Sequence, residues 1–296
     1  MSSFQYIKGI SPVIQSLQLR ILQEKGIQVD VLRLDQIHPI VSGNKWYKLK
    51  YYLKEAVDKN YRSILTFGGA YSNHIVATAC AAKEAGLQSI GLIRGEKPVH
   101  LSFTLSDAIA WGMRLEFMSR EDYKSKNESR FLKELIEKYP DAFIVPEGGA
   151  GELGILGSKE MLDGINHRQY THILCAIGTG TSFEGLSQAV GLDTLMIGIV
   201  VLKGMQAAYT NSHHKQMIHE YHFGGYAKKN EALLAFMNGF YTQTKIPTDF
   251  VYTGKLFYGM MDMVEKNNFL SGSRLLVIHS GGLQGNRSLP AGSLVF

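Results

Sequence analysis

From residue 60 onward, short apolar runs alternate with segments of helical pattern, and this alternation limits the possible folds more than any other feature. The runs at 63–69, 171–180 and 274–282 are typical of buried strands, and the first two are each followed by a helical pattern. Strands alternating with helices of about 10–15 residues predict right-handed βαβ units. We therefore expect an α/β protein with two open, mostly parallel sheets covered by helices.

Two longer segments each predict a single helix. The segment 120–139 is strongly charged and amphipathic, and 154–167 also has a helical pattern. A further helix is expected to begin near residue 73. Ser72 or Asn73 suits its N-cap, because each has a short polar side chain.

Glycine is unusually frequent, with 31 residues, and the placement of these glycines is informative. Clusters follow predicted strands at 68–73, 147–154, 177–182 and 279–282. The carboxyl ends of parallel strands share one edge of a sheet, where α/β proteins bind ligands. The clusters therefore predict a ligand site at that edge.

Composition and charge exclude several classes of protein. With 45% hydrophobic and 19% charged residues, the chain has the composition of an ordinary globular protein. It has neither the run of about 18 apolar residues that a membrane helix needs nor a secretory signal pattern, so we expect a cytoplasmic protein. The net charge of +5 is scattered and not interleaved with aromatic residues, which argues against nucleic acid as a partner.

The residues that most often bind metals do not form a metal-binding pattern. Cys80 and Cys175 lie in apolar surroundings and are expected to be buried thiols rather than a disulfide or a metal pair. The histidines at positions 213, 214, 219 and 222 are better explained by a solvated surface, because their spacing fits no known site. No metal is expected.

The segment IGTGTS at 177–182 is the strongest indication of phosphate binding. It follows a predicted strand and begins a helix, so backbone N–H groups and the hydroxyls of Thr179, Thr181 and Ser182 could surround an anion. The segment is neither a Walker loop nor a dinucleotide fingerprint. A plain turn capped by serine or threonine explains the same residues.

The segment SGNKWYKLK at 42–50 places two lysines near the start of a predicted helix. Lys45 and Lys48 are three residues apart and therefore share one helix face. Two positive charges at a helix N-terminus oppose the helix dipole, unless one amine is neutral or both are engaged by an anion or a covalent group. Solvated surface lysines are the alternative.

Together these segments resemble the 1-aminocyclopropane-1-carboxylate (ACC) deaminase and D-cysteine desulfhydrase family, which belongs to the pyridoxal 5'-phosphate (PLP) enzymes of fold type II, related to the tryptophan synthase β subunit. The family motifs appear here, in the family's order from residue 42 to about 285, as SGNKWYKL, GGAYSN, TGTS, VYTGK and HSGG. The tyrosine of the family's Tyr-Gly-x-Pro-Asn-Glu segment matches Tyr226 in YAKKNEA.

The resemblance implies a role for each matched residue. Lys45 would be the Schiff-base lysine, Lys48 would contact the cofactor phosphate, and Asn73 would bond the pyridoxal 3'-oxygen. The residues implied as catalytic are Lys45, Ser72, Tyr226 and Tyr252. The residues implied for binding PLP are Lys45, Lys48, Asn73, Thr179, Gly180, Thr181, Ser182 and Thr253, the last at the pyridine nitrogen.

The family fold has a small domain inserted in a larger one, with the cofactor between them. The resemblance implies a large PLP-binding domain at 1–47 and 156–296, a small domain at 48–155, and a homodimer. Some segments depart from the family. LRLD stands where a Lys-Arg-Glu-Asp segment is usual, WYK lacks the family's arginine, and the stretch 200–222 is hard to match.

The expected reaction follows from two of the matched positions. Family members that open the cyclopropane ring have a glutamate where Thr253 stands and a leucine where Ser280 stands. A threonine hydroxyl stabilises a carbanion less than a carboxylate beside the pyridine nitrogen does, which favours substrates with a good β-leaving group. We therefore expect β-elimination from a small amino acid, D-cysteine first, giving pyruvate, ammonia and sulfide. ACC deamination is one alternative, and a non-catalytic α/β protein that binds a phosphate ligand is another.

Overall fold

The computed structural model describes residues 11–204 and 212–296, which separate into two compact units. The first unit contains Lys45–Gly157, and the second contains residues 11–44 together with Ser158–Phe296. Part of the stretch 200–222, residues 205–211, lies outside the described residues.

The helices and strands follow the predicted alternation. The strands, in chain order, are β1 Val13–Ser16, β2 Gln28–Arg33, β3 Ser63–Gly68, β4 Gln88–Arg94, β5 Met113–Met118, β6 Ala142–Val145, β7 His172–Ile177, β8 Leu195–Val200, β9 Lys215–Ile218 and β10 Arg274–His279. The α-helices are α1 Arg20–Lys25, α2 Asn44–Asp58, α3 Asn73–Glu84, α4 Phe103–Ala110, α5 Ser129–Lys138, α6 Glu152–Lys159, α7 Thr181–Ala189, α8 Glu231–Thr244 and α9 Thr253–Glu265.

The first unit is built on a parallel sheet with the strand order β5-β4-β3-β6. Every residue of β3 is buried, as expected for an inner strand covered on both faces. Leu65 and Phe67 pack against Leu135 of α5 in one cluster, while Ile75 of α3 packs with Leu105 of α4 in another. The sheet is therefore held between helices, with the ends of β3 and β6 directed to the same edge.

The second unit contains a sheet with the order β1-β2-β10-β7-β8-β9. Its strands are parallel except for β1, which pairs antiparallel with β2. One core cluster joins Val31, Leu174 and Val277 of the sheet to Phe257 of α9. The two sheets confirm the predicted α/β class with mostly parallel strands.

Two of the predicted helices are wrong in extent. The segment 120–139 consists of a 3-10 helix at Asp122–Asn127 and the separate helix α5, because Glu128 has an extended backbone. The segment 154–167 forms α6 and a short 3-10 turn, and it ends at Asp163, which is also extended and is followed by Gly164 at a φ of +75°. Strands β1 and β2 precede residue 60, where the sequence pattern predicts the helix that begins near Lys45 but no strands.

A buried carboxylate organises the start of α9. Asp249 is fully buried, and its Oδ2 accepts hydrogen bonds from the backbone N–H groups of Val251 and Tyr252, both at 2.9 Å. Its Oδ1 accepts from the N–H and the hydroxyl of Thr253, both at 2.8 Å. Burial raises the pKa of Asp249, and these hydrogen bonds oppose that rise. The carboxylate thus satisfies backbone donors that a helix start leaves without partners.

Replacing this carboxylate should cost stability. Asp249→Ala removes four hydrogen bonds to a buried group, so the free energy of unfolding should fall by about 2–4 kcal/mol in urea titrations. Asp193→Ala, at an exposed position, is the control and should stay within about 0.5 kcal/mol of the parent. Equal stabilities of the two variants would contradict this view of Asp249.

Candidate active site

In the first unit, two lysines lie in the first two turns of α2, near its start, as the sequence predicts. Lys48 is only 4% exposed and Lys45 is partly buried. Burial first, and then the charges of Lys45 and Lys48, lower the pKa of His74 well below its usual range. Because His74 lies in the first turn of α3, both lysines are close enough to the start of that helix to act on it electrostatically.

The tautomer of His74 follows from its hydrogen bonds. The Thr66 hydroxyl donates its hydrogen to the carbonyl oxygen of Val145 at 2.8 Å, so at the 2.8 Å contact with His74 Nε2 it must accept. His74 therefore has its hydrogen on Nε2. Its Nδ1 is a buried lone pair with no hydrogen-bond partner. A neutral imidazole with an unused acceptor thus lies near the two lysines.

The turn after β6 brings Lys48 and His74 against a glycine. Gly149 has a φ of +69°, and a Cβ there would lie 3.1 Å from Lys48 Cβ and 3.8 Å from His74 Cε1. A side chain at this position would therefore crowd the lysine stem. The predicted glycine cluster at 147–154 therefore lies beside Lys48 and His74.

Ser72 and Asn73 lie at the start of α3. Ser72 occupies the N-cap position, but its side chain makes no capping hydrogen bond, so the sequence-based N-cap explanation does not account for its hydroxyl. A serine that does not cap its helix is suited to a ligand contact. The first unit thus brings together Lys45, Lys48, Ser72 and Asn73.

In the second unit, the segment 177–182 connects β7 to α7. Gly180, the N-cap residue of α7, has a φ of +85° and makes no side-chain capping hydrogen bond. Thr181 and Ser182 are buried, and the hydroxyls of Thr179 and Thr181 are 3.1 Å apart. Backbone N–H groups at the positive end of a helix, surrounded by hydroxyls, form a cradle suited to an anion. We call residues 179–182 the anion cradle.

Two tyrosines lie beside the anion cradle. A Cβ at Gly178 would lie 2.9 Å from Tyr252 Cε1, so the Tyr252 ring packs directly against the loop. Tyr226 meets Tyr252 edge to face, with ring centroids 6.2 Å apart. The two tyrosines that the resemblance implies as catalytic therefore lie together on one side of the cradle.

The Thr253 hydroxyl cannot act as a hydrogen-bond donor to a ligand. Its side chain is fully buried, and its hydroxyl donates its only hydrogen to Asp249 while accepting from the Asp249 N–H at 2.8 Å. One lone pair of the hydroxyl oxygen is left for a further hydrogen bond. It is therefore able to accept from a ligand N–H, but not to donate to a ring nitrogen.

The turn before α2 is packed against the end of β10. Gly43 has a φ of +65°, and a Cβ there would lie only 1.8 Å from the carbonyl oxygen of Ser280. The Asn44 N–H donates to that oxygen at 3.2 Å, and Asn44 Nδ2 donates to Ser182 Oγ at 2.9 Å. Asn44, the residue directly before Lys45, is therefore hydrogen-bonded both to the anion cradle and to the HSGG turn.

Sequence reasoning missed the support beneath the HSGG turn. Arg33 and Asp35 of LRLD form a bidentate ion pair at 2.9 and 2.7 Å, with both side chains about 95% buried or more. Asp35 Oδ1 is 3.3 Å from His279 Nδ1, and His279 Nε2 contacts the carbonyl oxygen of Pro247 at 2.7 Å. The sequence did contain a signal for this ion pair. Arg33 and Asp35 are two opposite charges in an otherwise apolar segment, and charged residues are rarely buried without a partner.

Other expectations concern residues outside the site. Cys80 and Cys175 are buried and form no disulfide, as predicted. Within residues 11–204 and 212–296, no group of three or more His, Cys, Asp or Glu side chains is arranged to hold a metal ion. No helix in that part of the chain has the length and apolar character needed to cross a membrane.

Comparison with known proteins supports the resemblance. No protein-family model matches the chain. The chain is 29% identical to the "Bifunctional D-cysteine desulfhydrase/1-aminocyclopropane-1-carboxylate deaminase, mitochondrial" of Arabidopsis thaliana, over 88% of this chain and 73% of the relative. It is 26% identical to the "D-cysteine desulfhydrase" of Klebsiella pneumoniae, over 89% of each chain. A solved structure described as an ACC deaminase homologue superimposes with a TM-score of 0.80 at 26% identity, covering 96% of this chain and 94% of that one.

The unused acceptor on His74 has a measurable consequence. Since its pKa is lowered in the folded protein, the unfolded chain binds the extra proton first, and stability is lost as the pH falls below about 6.5. His74→Gln retains a donor toward Thr66 but cannot titrate. Between pH 6 and pH 5 the parent should lose up to about 1.4 kcal/mol more unfolding free energy than this variant.

Urea titrations at each pH would measure this difference, with the exposed His219→Gln as the control that should follow the parent curve. Parallel pH profiles for the parent and His74→Gln would show that His74 is not a buried neutral base.

Proposed function

We propose, starting from the chain's kinship with the ACC deaminases and D-cysteine desulfhydrases, that it is a PLP-dependent lyase acting on a small amino acid. The observation that carries this proposal is the pair Lys45 and Lys48. Both lie in the first two turns of α2, and the charges of both act on the buried His74 at the start of α3. Two amines gathered at a helix N-terminus suit a site in which one is bonded to a cofactor and the other faces a phosphate.

The residues present fit PLP. Bound PLP withdraws electrons from the Cα of an attached amino acid. The anion cradle offers backbone N–H groups at a helix start and hydroxyls for the phosphate, and Lys48 offers a buried charge. Lys45, at the very start of α2, would carry the cofactor on its Nζ. Asn73 would bond the 3'-oxygen of the pyridine ring.

The Lys45 amine would also serve as the base that takes up the proton from the Cα of the substrate. An amine whose neighbour is also a cation loses its proton more easily, which suits a base. Ser72, Tyr226 and Tyr252 would face the substrate, two of them with rings that meet edge to face. Thr253 would accept from the N–H of the pyridine ring.

We further propose a large PLP-binding domain at 1–47 and 156–296 and a small domain at 48–155. Asn44 donates to Ser182 Oγ in the cradle and directly precedes Lys45, the proposed cofactor lysine, in the chain. A homodimer and a cytoplasmic location belong to the same proposal, and sedimentation of the loaded protein would test the dimer.

The choice of substrate depends on Thr253. Because its hydroxyl hydrogen is committed to Asp249, it presents a neutral acceptor where a carboxylate would stabilise a protonated ring more strongly. A weaker electron sink favours substrates whose β-leaving group departs at once. We therefore propose β-elimination, with D-cysteine as the first substrate and pyruvate, ammonia and sulfide as products. ACC deamination is the second candidate, because the Arabidopsis relative bears both names.

The phosphate assignment predicts a loss of cofactor affinity. Lys48→Ala and Thr179→Val should each weaken PLP binding by about 1.5–3 kcal/mol, roughly 10- to 150-fold in Kd, since each removes a hydrogen bond to a charged group. Lys54→Ala changes an exposed lysine on the same helix, paired with Asp58, and should leave the Kd unchanged. Fluorescence titration of the apoprotein measures all three. Unchanged affinity in both site variants would refute the assignment of these residues to the cofactor phosphate.

The reaction assignment predicts which amino acid is consumed. Purified, PLP-loaded protein should release pyruvate and sulfide from D-cysteine faster than it releases pyruvate from L-cysteine or either serine, and faster than 2-oxobutanoate from ACC. Lys45→Ala is the matched control and should lose turnover with every substrate. Efficient ring opening of ACC without sulfide release from cysteine would overturn the argument from Thr253. No turnover with any of them would instead favour a non-catalytic phosphate-binding protein.

A further inference from the structure

Lys255 is a buried cation that the proposed reaction does not use. It is the third residue of α9 and is fully buried. Its ammonium donates to the carbonyl oxygen of His222 at 2.9 Å and to that of Gly225 at 2.7 Å. The lysine of VYTGK therefore points into the loop that carries Tyr226.

That loop has an unusual backbone. Phe223, Gly224, Gly225 and Ala227 have φ values of +52°, +92°, +119° and +54°. L-residues such as Phe223 and Ala227 rarely adopt this left-handed region, so surrounding contacts must hold them there. The curvature turns two carbonyl oxygens of the loop toward the same ammonium.

The ammonium is not required to satisfy these carbonyls. His222 O also accepts from the Gly225 N–H at 2.9 Å, and Gly225 O also accepts from the Lys228 N–H at 3.2 Å. Burial lowers the pKa of Lys255 to about 8, against the opposing charge of Asp249, so holding the ammonium there costs stability. A cation kept at such a cost suggests a role other than stability.

The role follows from what the loop carries. Tyr226 comes directly after Gly225, is 41% exposed, and meets Tyr252 edge to face. The other side of the loop is confined, because a Cβ at Gly225 would lie 3.1 Å from Lys203 Cβ. With the loop fixed at Gly225, the direction of the Tyr226 side chain is fixed as well.

We propose that Lys255 is a positioning residue, whose ammonium binds the carbonyls of His222 and Gly225 and thereby holds Tyr226 beside Tyr252. This inference rests on the proposed function, in which Tyr226 faces the amino-acid substrate. Lys255 acts through the loop and not on the substrate. Its loss should therefore affect use of the substrate but not attachment of PLP.

The test compares two Lys→Met changes on one helix. Lys255→Met preserves the apolar stem and removes the charge, while Lys266→Met makes the same change at the exposed end of α9. In Lys255→Met, amide hydrogen exchange across 222–228 should accelerate, Tm should be unchanged or higher, and PLP absorbance should match the parent. With D-cysteine, kcat/KM should fall about tenfold or more, mainly through KM. Lys266→Met should match the parent in every readout.

A second pair of variants separates positioning from a general structural effect. In a Tyr226→Ala background, adding Lys255→Met should lower kcat/KM by less than about twofold, because the residue being positioned is already absent. Equal losses in both backgrounds, or unchanged exchange across 222–228, would overturn the proposal. Lys255→Gln, which keeps an N–H donor without the charge, should give intermediate exchange and replaces the Met variant if that one does not fold.

Failure of the proposed function is distinguishable from failure of this inference. A parent protein without turnover on any amino acid would refute the lyase assignment. The exchange comparison between Lys255→Met and Lys266→Met would still decide whether the ammonium holds the loop.

Discussion

The arrangement of the candidate site depends on positive charge gathered where a protein ordinarily avoids it. Lys45 and Lys48 lie at the start of α2, close to the start of α3, and both helix ends carry the positive end of a dipole. Burial first, and then the charges of these two lysines, lower the pKa of His74, which offers a lone pair on Nδ1. Such a cluster attracts an anion or an electrophile that takes up one amine, and PLP is both.

The second unit holds a group of residues suited to an anion at the end of a buried strand. The anion cradle begins α7 directly after the buried strand β7, and Tyr252 packs against it across Gly178. Behind Tyr252, Asp249 binds the start of α9 through backbone N–H groups and the Thr253 hydroxyl. The same carboxylate therefore stabilises the helix and leaves the Thr253 hydroxyl only an acceptor position for a ligand.

The sequence predicted the parts that depend on local pattern. The α/β alternation, the start of α2 near Lys45 and the turn into α7 follow from periodicity and from residue types at strand ends. The single helix over 120–139 failed because the periodicity does not reveal that Glu128 is extended. Strands β1 and β2 were missed because no alternation was recognised before residue 60. The likeness to ACC deaminases and D-cysteine desulfhydrases was also visible in the motifs.

The supporting residues depend on tertiary structure and left a weaker trace. His74, Asp249 and Lys255 are polar residues whose importance lies in being completely buried, and burial follows from how distant segments pack. The partners of Lys255, at 222 and 225, are about 30 residues away in the chain, on a loop with no regular pattern. The link between Lys255 and Tyr226 is therefore visible only in the folded structure.

Chemical labelling of the cofactor lysine distinguishes Lys45 from the other amines of the protein. PLP-loaded protein is reduced with borohydride, digested and mapped by mass spectrometry, so that the lysine bonded to the cofactor becomes permanently labelled. We expect the label on Lys45, with Lys48 unlabelled. Lys255 is the competing amine, because burial lowers its pKa to about 8 and so frees its lone pair more readily than in an ordinary lysine. A label on Lys255 or Lys48, with Lys45 unmodified, would contradict the assignment.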